Sequence, residues 1–224
     1  MRAFLCVLLF AGGVGAIEAE SARYLGVKYV LDPLGEGFGY DADPVRREDA
    51  FDCLTFVETA MADAGMKDLQ CIRYRDCKID FVGRNHFLEI DWIANNSDIV
   101  EDITASLGLP VRTVSTVVDR SAWLLDKHKI ESACGAFPAE FDIIAVADIA
   151  RLRIDEPVLA LFAMGKIDGA IFSHIGFLIP GADQRIVLRH ASSKAGRVLD
   201  EDLIAYVRRR GKEISGITVL RINN

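Results

Sequence analysis

The clearest hydrophobic periodicity in the chain follows Phe51-Asp52-Cys53. Leu54, Val57, Met61 and Ala64 recur at spacings of three and four, and Phe56 and Ala60 widen the stripe. That pattern predicts a helix buried along one face. Asp49 and Asp52 suit its N-cap and Gly65 its stop. Residues 24–40 before it are turn-rich, and Asp32-Pro33-Leu34-Gly35-Glu36-Gly37-Phe38-Gly39 predicts a loop whose glycines let backbone approach a ligand. Beyond the helix, the pattern predicts short strands at residues 72–74 and 79–82 and a mostly helical stretch over 90–107 that Pro110 ends. A strand over 111–118 and a helix over 121–129 follow. Residues 141–146, 170–179 and 185–192 read as strands, the last two joined by the turn 180–184 into an antiparallel hairpin. A helix carrying Leu203 to Arg210 and a strand over 217–222 complete the pattern, with no internal repeat. Helices gathered first and antiparallel sheet later predict the α+β class.

Composition bounds the partners. The chain has 224 residues, 51% of them apolar and 26% charged, with a net charge of -7. This describes one globular domain, and the negative balance argues against nucleic acid as a partner. Arg208-Arg209-Arg210 is the basic cluster, placed to favour a helix C-terminus rather than to bind anything.

The N-terminus predicts export. Met1-Arg2 precedes an apolar run with Phe4, Leu5, Val7, Leu8, Leu9 and Phe10, and small residues follow at Val14-Gly15-Ala16 and Ile17-Glu18-Ala19. Residues 1–19 therefore read as a secretory signal cut after Ala16 or Ala19, leaving a mature domain over 20–224; a buried N-terminal strand or helix is the alternative. The run is too short and too interrupted by glycine to anchor a membrane, so no span is expected after its removal. Cys6 lies inside the run, which argues against lipidation there. The expected location is periplasmic or secreted. In such a compartment Cys71 and Cys77 can close a small loop, and their spacing fits zinc poorly. Cys53 and Cys134 are then unpaired, unless a bridge between the two makes Cys53 structural.

A cysteine in the first turn of a helix feels the positive end of the dipole, which favours the thiolate and suits a nucleophile. A small buried hydrophobe is the alternative reading. Of the four histidines, His174 and His190 lie on the two hairpin strands, which brings them side by side. They suggest a relay in which His174 takes the Cys53 proton and His190 fixes the tautomer of His174. His128, between Lys127 and Lys129, reads as exposed; His86, among polar residues, reads as a substrate contact.

These residues resemble a known family. Cys53 within Asp-Cys-x-Thr-Phe-Val-Glu, then Ser-His-Ile-Gly-Phe and His-Ala-Ser-Ser, resemble the signatures of the NlpC/p60 superfamily, papain-like cysteine hydrolases of bacterial peptidoglycan. Arg73-Tyr74-Arg75, Arg84-Asn85-His86-Phe87 and Asp91-Trp92-Ile93 are similar to its N-acetylmuramoyl-L-alanine amidase-like branch. The resemblance implies a papain-like core with the Cys53 helix packed on an antiparallel sheet. It makes Cys53 the nucleophile, His174 the base and His190 the residue that orients it. Tyr29, in Gly26-Val27-Lys28-Tyr29, would approach the site, and His86 with at least one of Arg75 and Arg84 would contact a peptidoglycan or muropeptide substrate, a surface ion pair with Asp76, Asp80 or Glu89 being the alternative for either arginine. The implied mechanism uses no metal and no cofactor. The long separation of Cys53 from His174 implies insertions around residues 84–110 and 149–169. The bond implied is the amide between N-acetylmuramic acid and L-alanine; a stem-peptide endopeptidase and an inactive wall-binding protein are the alternatives.

Overall fold

A computed structural model describes residues 13–223. Most of the expected signal lies outside the described residues, but its last part does not. Val14–Ala22 forms helix α1, in which Val14, Ala16 and Ile17 are buried. The folded body thus begins before residue 20. The short strands β1 (Lys28–Tyr29) and β2 (Ala50–Phe51) lead into α2 (Cys53–Asp63), followed by α3 (Leu69–Arg73), α4 (Ile93–Asn95) and β3 (Val100–Asp102). Then come β4 (Val111–Asp119), α5 (Arg120–Trp123), β5 (Ala136–Ala145), β6 (Val158–Asp168), β7 (Ala170–Pro180), β8 (Ile186–Ser192), β9 (Arg197–Asp202), α6 (Leu203–Arg210) and β10 (Ile214–Ile222).

The fold is α+β, built on a ten-stranded sheet in the order β2-β1-β9-β8-β7-β6-β10-β5-β4, with β3 added beside β10. All neighbours are antiparallel except β1 and β2. The sheet is covered on both faces. Leu159, Leu161 and Ala163 of β6 join Phe56, Ala60 and Met61 of α2 in one apolar cluster. Their neighbours Val158, Ala160 and Phe162 join Leu203, Tyr206 and Val207 of α6 in the other. A strand buried on both faces reads as an unbroken apolar run without period, which is why the hydrophobic pattern does not reveal it. Residues 158–168 form β6, which lies between β7 and β10 in the interior of the sheet.

Two other expectations are corrected. Residues 72–74 do not form a strand, because Ile72 and Arg73 end α3 and the Cys71–Cys77 disulfide closes the turn that follows; residues 79–82 are not a strand either. In the stretch 90–107 only a 3₁₀ turn at Thr104–Leu107 is helical after Asn95, where the helix stops. There the buried Asn96 side chain donates to the carbonyls of Ile72 and Trp92 at 3.0 and 2.9 Å, and the chain turns away into β3. This segment is packed into the body through Trp92, which is fully buried. No helix among the described residues is long and apolar enough to cross a membrane.

Candidate active site

Cys53 is placed by its neighbours. Asp52 Oδ1 accepts from the Thr55 N–H at 2.8 Å, and Thr55 Oγ1 accepts from the Asp52 N–H at 3.0 Å. This reciprocal cap satisfies two otherwise unpaired helix-terminal donors and fixes Cys53 as the first residue of α2. Cys53 and Cys134 are both unbridged, so the structural alternative of a disulfide between them does not hold. Burial pushes the Cys53 thiol up to about 12, and the Asp52 charge adds to that; the N–H groups of Ile175, Leu54 and Cys53 itself pull the other way. Burial thus outweighs the helix dipole, and the sulfur rests as a thiol, not as the thiolate expected from its place on the helix.

The sheet supplies the histidines where its regular pairing is interrupted. Pairing of β7 with β8 stops at Phe177–Arg189. Beyond it, the Ile175 N–H is near enough to the Cys53 sulfur to favour its charged form. Between Phe162–His174 and Ala163–Phe172 the register of β6 and β7 shifts, leaving Ser173 as a bulge that aims His174 at the opening. Gly176 lets β8 come close: a Cβ there would stand 2.9 Å from the Cβ of His190. His174 Nε2 and His190 Nδ1 are 2.6 Å apart, which leaves Nδ1 of His174 for the thiol. Cys53, His174, His190 and Tyr29 line one cavity of about 80 Å³. Burial and the neighbouring His190 hold His174 well below its ordinary range, and burial also lowers His190. Both imidazoles are neutral at rest near pH 7.

Four residues of this site escape a reading of the sequence. Glu201 Oε1 lies 2.8 Å from His190 Nε2, and its other oxygen accepts from Arg209 Nη2 at 2.6 Å. Tyr206 covers the imidazole pair, with its ring centroid 5.9 Å from His174 and 5.2 Å from His190. Arg209 and Arg210 flank that phenol and line the cavity, so they do more than favour the end of α6.

A second cavity of about 210 Å³ opens beside the first turn of α2, lined by Asp52, Thr55, Glu58, Arg73, Arg84 and His86 among others. Its floor is already paired. Arg73 Nε meets Glu58 Oε2 at 3.1 Å, and Arg84 donates to Asp41 at 2.9 Å and to the Leu34 carbonyl at 2.8 Å. Arg84 thereby ties down the loop before α2. His86 Nε2 lies 2.6 Å from the Phe81 carbonyl, and burial holds its imidazole down at about 3. The wall is aromatic: the ring centroids of Phe81 and Trp123 lie 4.7 and 4.5 Å from that of His128. His128 is therefore half-buried in that wall and not the exposed residue expected from its lysine flanks. Arg75 stays outside both cavities, exposed on the turn after α3. Among the described residues, no group of three or more His, Cys, Asp or Glu side chains is arranged to hold a metal ion.

Comparison with known proteins gives this site a family. No curated protein matches the sequence. Among solved structures, a DUF1460-family protein from Legionella pneumophila superposes with a TM-score of 0.84 at 24% identity, covering 94% of this chain and 89% of its own. An N-acetylmuramoyl-L-alanine amidase from Bacteroides uniformis gives 0.74 at 24% identity, covering 93% and 99%. At such identity these likenesses are of fold. Residues 19–217 match a family model, AmiA-like, described as N-acetylmuramoyl-L-alanine amidase-like. That match runs through nearly all of the folded body and both cavities, and on it the chain belongs to the N-acetylmuramoyl-L-alanine amidase-like family.

Proposed function

We propose that this protein is a cysteine amidase of the NlpC/p60 type that cuts the amide between the lactyl group of N-acetylmuramic acid and L-alanine in peptidoglycan or its fragments. The observation that carries the mechanism is the meeting of Cys53, His174 and His190, drawn from α2, β7 and β8, in one cavity with the His174 Nε2 already engaged. The family supports the bond and the substrate class. The Cys53 sulfur attacks the carbonyl as its proton passes to His174 Nδ1. The N–H of Cys53 at the start of α2 is a donor for the oxyanion. His174 then protonates the departing alanine amine, and water, deprotonated by His174, releases the acyl group from sulfur. The larger cavity beside α2 receives the rest of the substrate. Export belongs to the same reading: the Cys71–Cys77 disulfide is of a kind kept in oxidising compartments, as a periplasmic or secreted enzyme requires.

Mass spectrometry of a defined muropeptide digest tests this. An amidase yields the sugar and the whole stem peptide, whereas an endopeptidase yields a shortened peptide and a wall-binding protein yields no product. Cys53→Ala is expected to abolish turnover without unfolding the protein, since alanine is a good helix former. Turnover retained in that variant would exclude a cysteine mechanism.

A further inference from the structure

The hydrogen-bonded chain continues past His190, and its far end dictates the near one. Leu188 of β8 faces Glu201 of β9 in the sheet register, and His190 is two residues along on the same face, which brings its ring to the Glu201 carboxylate. A carboxylate only accepts hydrogen bonds, and a neutral imidazole carries one N–H. The contact at 2.8 Å therefore requires the hydrogen on His190 Nε2. His190 Nδ1 is then an acceptor, so the contact at 2.6 Å requires the hydrogen on His174 Nε2. His174 Nδ1 is left as a bare lone pair, the form able to take a proton from Cys53.

We propose that Glu201, held by Arg209, is a positioning residue that sets the tautomer of both imidazoles and so keeps His174 competent as a base. This rests on the proposed roles of Cys53 and His174 but not on any particular substrate. Arg209 fixes the orientation of the carboxylate from the rim of the cavity, where its side chain is 41% exposed and offers only donors.

The test is Glu201→Gln. Arg209 needs an acceptor, so it holds the amide oxygen and turns the NH2 toward His190 Nε2. Every hydrogen in the chain then reverses, and His174 carries its proton on Nδ1, facing the thiol. Two readouts apply without a substrate. One is the rate at which iodoacetamide alkylates Cys53 at pH 7, followed by peptide mapping to separate it from Cys134. In that reaction the S–C bond forms, iodide leaves and the thiol proton passes to His174. The other is 15N–1H NMR of histidine-labelled protein, which assigns each tautomer. Glu201→Gln is expected to slow alkylation at least about tenfold, as a wrong tautomer does in other triads, and to move both histidines from Nε2–H to Nδ1–H. Adding Arg209→Met frees the amide to rotate, so the double variant is expected to recover both the rate and the Nε2–H tautomers. A merely structural Glu201 predicts a double variant no better than the single one. Wild-type tautomers and rate in Glu201→Gln, or no recovery in the double variant, would overturn the proposal. Should Glu201→Gln not fold, the wild-type spectrum decides, because Nδ1–H on either His174 or His190 contradicts the assignment. If instead these readouts behave as expected while muropeptides remain uncut, the relay stands and the substrate assignment fails.

Discussion

Gly176→Ala should damage the site through packing alone. A Cβ on residue 176 would stand 2.9 Å from His190 Cβ, 2.9 Å from Leu188 Cδ1 and 3.0 Å from the Arg189 carbonyl oxygen. Carbon atoms rest about 3.5–4.0 Å apart, so β7 and β8 must separate by roughly half an ångström or more. Leu188 can swing its terminal methyl aside, but the His190 Cβ and the Arg189 carbonyl are fixed by the pairing of β8 with β9. Overpacking of this kind costs about 1–3 kcal/mol. The loss in catalysis should be larger than that strain suggests. The same movement stretches the contact of 2.6 Å between His174 and His190, and misplacing a catalytic group by about 1 Å costs about a hundredfold. Urea unfolding measures the first effect, and muropeptide turnover at saturating substrate measures the second. The expected result is a folded protein about 1–3 kcal/mol less stable with kcat reduced about 10- to 100-fold. Unchanged stability together with unchanged kcat would refute the close approach of the two strands as the feature that seats His190.

Further outcomes follow from the same geometry. His174→Ala should abolish turnover, whereas His190→Asn should keep a measurable fraction, since an amide can still orient His174; steady-state rates of the two variants check this, and equal, complete loss would show that His190 does more than orient. The pH profile of kcat/KM should stay flat from neutrality down past pH 6.5, because His174 is held well below that value and must be neutral to act; activity then falls as pH drops through its lowered range, and a limb centred at 6.5 or above would contradict this. Arg75→Ala should leave KM and the melting temperature unchanged, since Arg75 lies outside both cavities. Arg84→Ala leaves Glu36 and Asp41 without their buried partner and should cost about 3–5 kcal/mol in urea unfolding.

What the sequence makes legible is local. The helix that begins at Cys53 is visible because its stripe and its cap lie within a few residues of one another, and the hairpin that pairs His174 with His190 is visible because a short turn joins two apolar runs. Glu201 is illegible for the opposite reason. It stands in Asp200-Glu201-Asp202, three carboxylates that composition cannot tell apart. The fold separates them. Asp200 pairs with Arg189 on one face of the sheet, Glu201 meets His190 on the other, and Asp202 caps α6 through the Ala205 N–H. Only the register of β8 against β9 assigns them. The central strand β6 is hidden by its lack of period. Arg84 shows the same limit, because its partners Asp32, Glu36 and Asp41 come from a loop more than forty residues earlier, not from the nearby Asp76, Asp80 or Glu89.

In the proposed mechanism, burial of Cys53 and His174 gives that remote carboxylate its importance. A thiol pushed up to about 12 beside an imidazole held below its ordinary range does not exchange its proton at rest. In the proposed mechanism sulfur then becomes nucleophilic only as the proton moves, so thiol deprotonation and attack on the carbonyl proceed together. In that mechanism the imidazolium and the oxyanion arise in the same step, each in the partly buried surroundings of the cavity. Such surroundings strengthen any interaction with fixed charges and dipoles. The N–H groups at the start of α2 lie at one end of this charge separation, and the His190–Glu201 pair lies at the other. In the proposed reaction, the burial that holds Cys53 as a thiol at rest therefore also makes both ends count once substrate is bound. The proposed reaction is thereby favoured for a substrate that places its carbonyl between them.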